Sequence, residues 1–324
     1  MRNAFQLQSY GALTHKDYVE HLADFWEVKC ICNPDFQVSL FDFKSFFDIA
    51  VDDNSTGGLD DVDDEIENYL SYALQEIEQR LRQIGSDYYP FSIQGNSVVY
   101  NQATTSCYYE FLLFSSRLNM NVNRVQNGLN GPDLFEHFCA AAGKSYFGKG
   151  SESLVFGTAQ KLSNVSSAKC ATIFEKKVNE LISFLGEGKR FKNRNGTSIT
   201  KNDDKLDVVF VKPFNDSFDG NFIVFGQCKT GVNWRDHTKS LVPKDFTDAW
   251  FENSLAHEPK SAFFVADVIL RDFNPFTTIQ GSLFFSRFRI LEYFDSSQLE
   301  TTTQDEIRQW VQGAINTAKA IVEN

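Results

Sequence analysis

The chain has 324 residues, 42% of them hydrophobic, and its 31 basic against 43 acidic side chains leave a formal net charge of −12. So acidic a surface argues against nucleic-acid binding driven by overall charge, while leaving room for a local basic groove. No apolar run approaches the roughly 18 residues of a membrane crossing, and the first residues lack an apolar stretch ahead of a small-residue cleavage site, so a cytoplasmic protein with no membrane partner is expected.

The length predicts two domains. We expect an α+β N-terminal domain over 1–125, serving recognition, regulation or assembly, and an α/β domain over 126–324. Phe, with 32 residues against four Trp and two Met, supplies the bulky core volume. Acidic residues gather at Asp52–Glu67, and Lys and Arg at 176–205 and 229–244.

VSLFDFKSFFDIAV (38–51) reads as one or two strands, and DDNSTGG (52–58) as a loop. Over 60–85, Ile66, Leu70, Ala73, Leu74, Ile77 and Leu81 recur at three- and four-residue steps, which predicts a helix. Acids crowd its first turns, Arg80 and Arg82 its last, and Gly85 supplies a stop. The acid-rich start is thus read as helix chemistry rather than as a metal site. Residues 88–116 predict short strands and turns entering an apolar helix or strand. NVNRVQNGLNGP (121–132) is the best linker candidate in the chain.

PDLFEHFCAAAGKSYF (132–147) has a helical pattern with Pro132 in its first turn, and the short apolar run LVFG (154–157) follows a Gly-rich stretch. SAKCATIFEKKVNELISFLGEG (167–188) predicts an amphipathic helix with Ile173, Phe174, Val178, Leu181, Ile182 and Leu185 on one side. Beyond a Lys-rich loop, 206–214 and 221–229 predict two strands joined by the turn NDSFDG. Strands at 261–270 and 281–290 and a helix at 303–322 complete an α/β domain whose sheet is flanked by helices.

Six cysteines, at 30, 32, 107, 139, 170 and 228, are expected as reduced and largely buried thiols. Cys30-x-Cys32 has no second Cys or His pair near it and reads as a strand with two small apolar side chains. The histidines, at 15, 21, 137, 237 and 257, are scattered, which disfavours a zinc or His-based site.

One constellation carries chemistry. Asp207 stands near the start of one hairpin strand and Gln227-x-Lys229 near the end of the next. Alternation points Gln227 and Lys229 to one face and Cys228 to the other. The turn then makes Asp207 and Lys229 cross-strand neighbours, which clusters an anion, an amide oxygen and an ammonium. Phosphodiester hydrolysis needs such groups. Asp207, Gln227 and the Cys228 backbone carbonyl offer oxygens to Mg²⁺ or Mn²⁺, and Lys229 can orient water and stabilise negative charge in the transition state. Trp234, in the basic loop TGVNWRDHTKSL (230–241), reads more readily as a core anchor than as a base-stacking ring. Asp203 and Asp204 read as an acidic turn before the strand rather than as metal ligands.

These residues resemble the PD-(D/E)XK restriction-endonuclease-like nucleases in their D…QxK variant. The resemblance is nearest to restriction enzymes that cut modified DNA and to nucleases of bacterial antiphage defence. In that family an acidic helix with Phe-Glu precedes a strand bearing Asp and a strand ending Gln-x-Lys. Here FEKKVNELISFLGEG, KLDVV and FGQCKTG follow in that order, and the resemblance spans roughly 132–240. Leu206 stands where the named motif has proline. Two glutamates compete for the helix position, Glu136 in GPDLFEHF and Glu175 in IFEKK, and both stay open. The resemblance implies a mixed restriction-endonuclease-like sheet and a Mg²⁺- or Mn²⁺-dependent endonuclease. It implies DNA as substrate, with RNA left open, and the acidic overall charge suggests a protein partner or homo-oligomer. The alternative is a nuclease-fold subunit that binds nucleic acid or protein without cutting.

Overall fold

A computed structural model describes residues 19–44, 59–102, 107–157, 167–194, 196, 199, 204–269 and 281–322. The helices are α1 (Val19–Cys32), α2 (Leu59–Ile84), α3 (Tyr108–Arg117), α4 (Gly131–Phe147), α5 (Ser167–Leu185), α6 (Pro243–Trp250), α7 (Arg287–Tyr293) and α8 (Thr301–Val322). The strands are β1 (Gln37–Ser39), β2 (Phe91–Gln94), β3 (Ser97–Tyr100), β4 (Val125–Gln126), β5 (Leu129–Asn130), β6 (Glu152–Val155), β7 (Val208–Lys212), β8 (Phe222–Lys229), β9 (Lys260–Val265) and β10 (Ser282–Phe285). None of the described helices is long and apolar enough to cross a membrane. The chain divides into two compact units, one of Met1–Gly131, Ala266–Asn274 and Asp305–Asn324, the other of Pro132–Val265 and Pro275–Gln304.

The first unit packs helices around the antiparallel sheet β1-β3-β2. Its helix α1 is buried almost all round, so its acids Glu20, Asp24 and Glu27 need partners inside. Arg80, at the end of α2, provides them for Asp24 and Glu27 and also takes the Glu20 main-chain carbonyl. Its guanidinium donates to Asp24 Oδ1 at 2.8 Å, Glu27 Oε1 at 2.7 Å, Glu76 Oε1 at 2.9 Å and the Glu20 carbonyl at 2.7 Å. Tyr109 donates to the other Glu27 oxygen at 2.6 Å. Arg117 joins Asp24 to Asp267 within this unit. Planar, five-donor arginines suit such a buried lattice of carboxylates.

Several expectations for this unit change. The strand expected over 38–51 ends at Ser39, and 40–44 is helical; 45–51 and the 52–58 loop lie outside the described residues. Cys30 and Cys32 end α1 rather than sitting in a strand. Both are buried thiols outside any disulfide, with Cys30 Sγ donating to the Val98 carbonyl at 3.3 Å. The linker candidate is a tight hairpin, β4–β5, whose two-residue turn puts Asn127 at φ 51° and Gly128 at φ 80°. Asn-Gly suits a turn with two left-handed residues. Helix α8 docks on it. Trp310 Nε1 donates to the Arg124 carbonyl at 3.0 Å, Asn127 Nδ2 to the Gln309 carbonyl at 2.8 Å, and Thr317 Oγ1 to Gln126 Oε1 at 3.0 Å. The Trp310 ring meets Phe111 edge-on at 5.3 Å.

Glu110, on α3, accepts from the Tyr100 hydroxyl at 2.8 Å, and burial pushes its carboxyl up to about 7. A carboxyl raised on folding favours the folded state most below its unfolded value and loses that contribution as pH climbs toward the folded value. Glu110→Gln removes the titration. Its stability should therefore fall less than the parent's between pH 4 and pH 8, by roughly 3 kcal/mol, as read from urea unfolding at the two pH values.

The second unit holds a five-stranded mixed sheet in the order β10-β9-β8-β7-β6. The β6–β7 and β7–β8 pairs are antiparallel, whereas β8–β9 and β9–β10 are parallel. A parallel pair needs a crossover, and α6 lies on the one joining β8 to β9. One core cluster gathers Phe174, Val178, Leu181 and Leu185 of α5, Phe246 and Trp250 of α6, and Val209, Val211, Ile223 and Phe225 of the sheet. Phe210, Val224 and Cys228 alternate onto the other face. Helix α4 closes against Phe210: a Cβ built on Gly143 would lie 2.3 Å from the Phe210 ring. Gly143→Ala should therefore destabilise by about 1–3 kcal/mol through overpacking, seen as a lower denaturation midpoint with unchanged slope.

The helix expected over 60–85 is present as α2, with Gly85 at φ 74° just past its end. The strand expected over 281–290 stops at Phe285, and α7 begins at Arg287; α6 had no counterpart in the sequence reading. Both helices span two turns or so, too short for periodicity to reveal.

Candidate active site

Asp207 is held from several sides at the mouth of β7. Its N–H donates to the Gly226 carbonyl at 3.0 Å, and its own carbonyl accepts from Phe156 at 2.8 Å and Gly157 at 3.0 Å. Its Oδ2 accepts from the Cys228 N–H at 2.7 Å and stands 3.9 Å from Lys229 Nζ. The hairpin thus brings Asp207 beside Cys228 and Lys229, with Val208 opposite Gly226 in the register.

Gln227 is 2% exposed and fixed by the loop that follows β8. With its amide oriented to satisfy all its neighbours, the nitrogen donates to the His237 carbonyl at 3.2 Å and to Ser240 Oγ at 2.7 Å. The oxygen then accepts from Lys229 Nζ at 3.3 Å and from Ser240 Oγ at 3.0 Å. That loop is a short 3₁₀ helix (Val232–His237) anchored by Trp234, which is buried against Phe263 and Phe284. Trp234 is a core anchor, and Arg235 lies 4.4 Å over its ring.

Burial separates the two helix glutamates. Glu136, on α4, is 7% exposed, and a Cβ built on Gly157 would fall 2.6 Å and 2.8 Å from its two carboxylate oxygens. Glu175 lies on the exposed side of α5. Cys139, one turn beyond Glu136, is within hydrogen-bond reach of the Cys228 thiol. Burial pushes both thiols up, and both also respond to the charges of Glu136 and Asp207. The two carboxylates therefore flank one thiol pair, and the structure gathers Asp207, Cys228, Lys229, Gln227 and Glu136 while leaving Glu175 outside. Asp204 serves the fold: its Oδ2 accepts from Trp250 Nε1 at 2.9 Å. Asp203 lies outside the described residues.

Two participants escaped the sequence reading. Ser240 fixes the Gln227 amide, with no motif to announce it. Lys177 of α5 is buried, its Nζ donating to the Gly157 carbonyl at 3.0 Å and lying 4.5 Å from the centre of the Phe156 ring. Its signal was positional, since it falls three residues after Phe174 and four before Leu181, on the buried stripe.

Among the described residues no group of three or more His, Cys, Asp and Glu side chains is gathered for a metal. The donors available here are oxygens of a different mix: two largely buried carboxylates, the Gln227 amide and the Cys228 carbonyl. Hard oxygen donors suit Mg²⁺ or Mn²⁺, and Mg²⁺ keeps several waters, so this set fits such an ion. No family model, curated protein or solved structure matches the chain.

Proposed function

We propose that the chain is a divalent-metal-dependent endonuclease that hydrolyses DNA phosphodiester bonds. The observation that carries this reading is the assembly of Asp207, Gln227, Lys229 and the buried Glu136 around the paired ends of β7 and β8. The order of a helix with Phe135-Glu136, a strand led by Asp207 and a strand ending Gln227-x-Lys229 supports it further. So does the mixed sheet flanked by helices, the architecture that the restriction-endonuclease-like resemblance implies.

Asp207, Glu136, Gln227 and the Cys228 carbonyl would hold Mg²⁺ or Mn²⁺, which when bound supplies a polarised phosphate and an acidified water. Lys229 is the most exposed member of the group, with 28% of its side chain open to solvent, so it can reach a substrate. Its ammonium would orient the attacking water and offset charge building on the phosphate. The neighbouring Gln227 oxygen and Asp207 carboxylate aim that ammonium. A bacterial antiphage setting rests on the family resemblance alone.

The test is cleavage of DNA by the full chain with Mg²⁺ or Mn²⁺, against EDTA, Lys229→Ala and Asp207→Ala. Metal-dependent cutting lost in both variants supports the reading. Cutting that survives both removes these residues from the chemistry. Neither cutting nor Mn²⁺ uptake, with any DNA offered, favours a non-cleaving binding subunit.

A further inference from the structure

One short, strongly basic stretch interrupts an acidic chain. Residues 189–194 (KRFKNR) carry Lys189, Arg190, Lys192 and Arg194, whereas the whole chain has a net charge of −12. The stretch is held as an extended strap against the end of α6. Phe191 bridges Phe251 in antiparallel fashion, the Lys192 N–H donates to the Trp250 carbonyl at 2.8 Å, and the Glu252 N–H donates to the Arg190 carbonyl at 2.9 Å. Phe191 anchors the strap from beneath: its ring stacks on Trp250 at 6.0 Å, and its N–H donates to Asn179 Oδ1 at 2.8 Å. Extended backbone sends alternate side chains to opposite faces, so Phe191 packs inward while Arg190, Lys192 and Arg194 are exposed.

Three features set this strap apart from an ordinary solvated charge run. Its outward cations recur every second residue, roughly 6.5 Å apart in extended chain, which is of the order of the separation between consecutive phosphates on a nucleic-acid strand. Arg194 is pinned, its Nε donating to the Phe251 carbonyl at 2.8 Å. The acid bonded to the strap is Glu252, whose Oε2 takes Arg190 Nε at 2.7 Å and Lys189 Nζ at 3.3 Å, so four cations face one carboxylate. Trp250 then ties the strap to the chain entering the site. Its indole N–H donates at 2.9 Å to Oδ2 of Asp204, three residues ahead of Asp207. We propose that the 189–194 strap is a phosphate-contact surface for double-stranded DNA, gripping the backbone away from the scissile bond. The choice of DNA among polyanions rests on the nuclease reading. Contacts of this kind fix position without reading sequence, and Glu252 is a built-in competitor that occupies Arg190 and Lys189 until a phosphate displaces it.

Binding is read apart from cutting, by fluorescence anisotropy of the full chain with a labelled DNA duplex in EDTA over a range of NaCl concentrations. Arg190→Gln/Lys192→Gln should bind about tenfold or more weakly near 0.1 M salt, and should lower the slope of log K against log salt by roughly 1 per lost contact. Arg82→Gln/Lys149→Gln, which removes two exposed cations elsewhere, should stay within about twofold of the parent. Glu252→Gln, which frees the strap from its own carboxylate, should bind about threefold more tightly. An affinity and salt slope unchanged in Arg190→Gln/Lys192→Gln overturn the proposal and leave the nuclease reading intact. An equal loss in Arg82→Gln/Lys149→Gln also overturns it, because the whole surface is then responsible. A parent that binds through the strap but cuts no DNA with Mg²⁺ or Mn²⁺ upholds the proposal and sinks the nuclease reading. A parent that does not bind the duplex at the lowest salt overturns the proposal. Should the double variant fail to fold, Lys192→Gln alone, at an exposed side chain, is read in the same way.

Discussion

An Asp207→Ala chain should lose metal-dependent DNA cleavage by on the order of 10²-fold or more, with kcat affected more than KM. The size of the effect follows from how many tasks converge on one carboxylate. It is a candidate metal ligand, it faces Lys229 Nζ at 3.9 Å, and it accepts the Cys228 N–H at 2.7 Å. Alanine removes all three and leaves that buried N–H without its acceptor, at a cost of about 1–3 kcal/mol in stability. Asp207→Asn divides the effects. It retains an oxygen for the Cys228 N–H, so it should melt near the parent temperature, yet it lacks the charge that binds metal and should cleave almost as poorly as alanine. Cleavage by Asp207→Asn close to the parent rate would show that the carboxylate's charge is not needed.

Arg80→Met should destabilise the protein by about 3–5 kcal/mol. Arg80 is 1% exposed and is bonded to Asp24, Glu27, Glu76 and a main-chain carbonyl, all of them buried. The chain length of methionine refills much of the space, so the loss is chiefly electrostatic. Three buried carboxylates would face one another with their shared guanidinium gone. Arg80→Lys keeps a charge but offers a point rather than a fork, and should fall between the two. Urea unfolding followed by tryptophan fluorescence reads both, since Trp26 lies on α1 beside the network. An Arg80→Met midpoint within experimental scatter of the parent would mean that the carboxylates had found other partners.

What was legible in the sequence was whatever local pattern determines. The three- and four-residue steps over 60–85 encode a helix wherever it is placed, and the alternation of Gln227 and Lys229 puts them on one face of β8. The choice between Glu136 and Glu175 was not local. Both follow Phe in a helix, and only the packing of α4 against the sheet buries one while the other faces solvent. Lys177 was hidden for a related reason, because a lysine on an amphipathic helix reads as solvated unless its stripe is known to be buried. The 121–132 stretch shows the opposite failure. Its Asn and Gly residues looked like slack chain, yet Asn127-Gly128 is the turn of an ordered hairpin whose partner, α8, is distant in sequence.

That hairpin and α8 have a consequence for the order in which the protein can be built. Trp310, Gln309 and Thr317 complete contacts with residues 111–127, although the whole second unit is encoded between them. On a ribosome moving at about 5–20 residues per second, the hairpin and Phe111 wait on the order of ten seconds for their covering helix. Through that interval the nascent first unit carries an uncovered aromatic socket, while the residues of the sheet bearing Asp207 and Lys229 have already been made. Vectorial synthesis therefore favours assembly of the second unit before the unit that precedes it, and α8 acts as the closing step of the first.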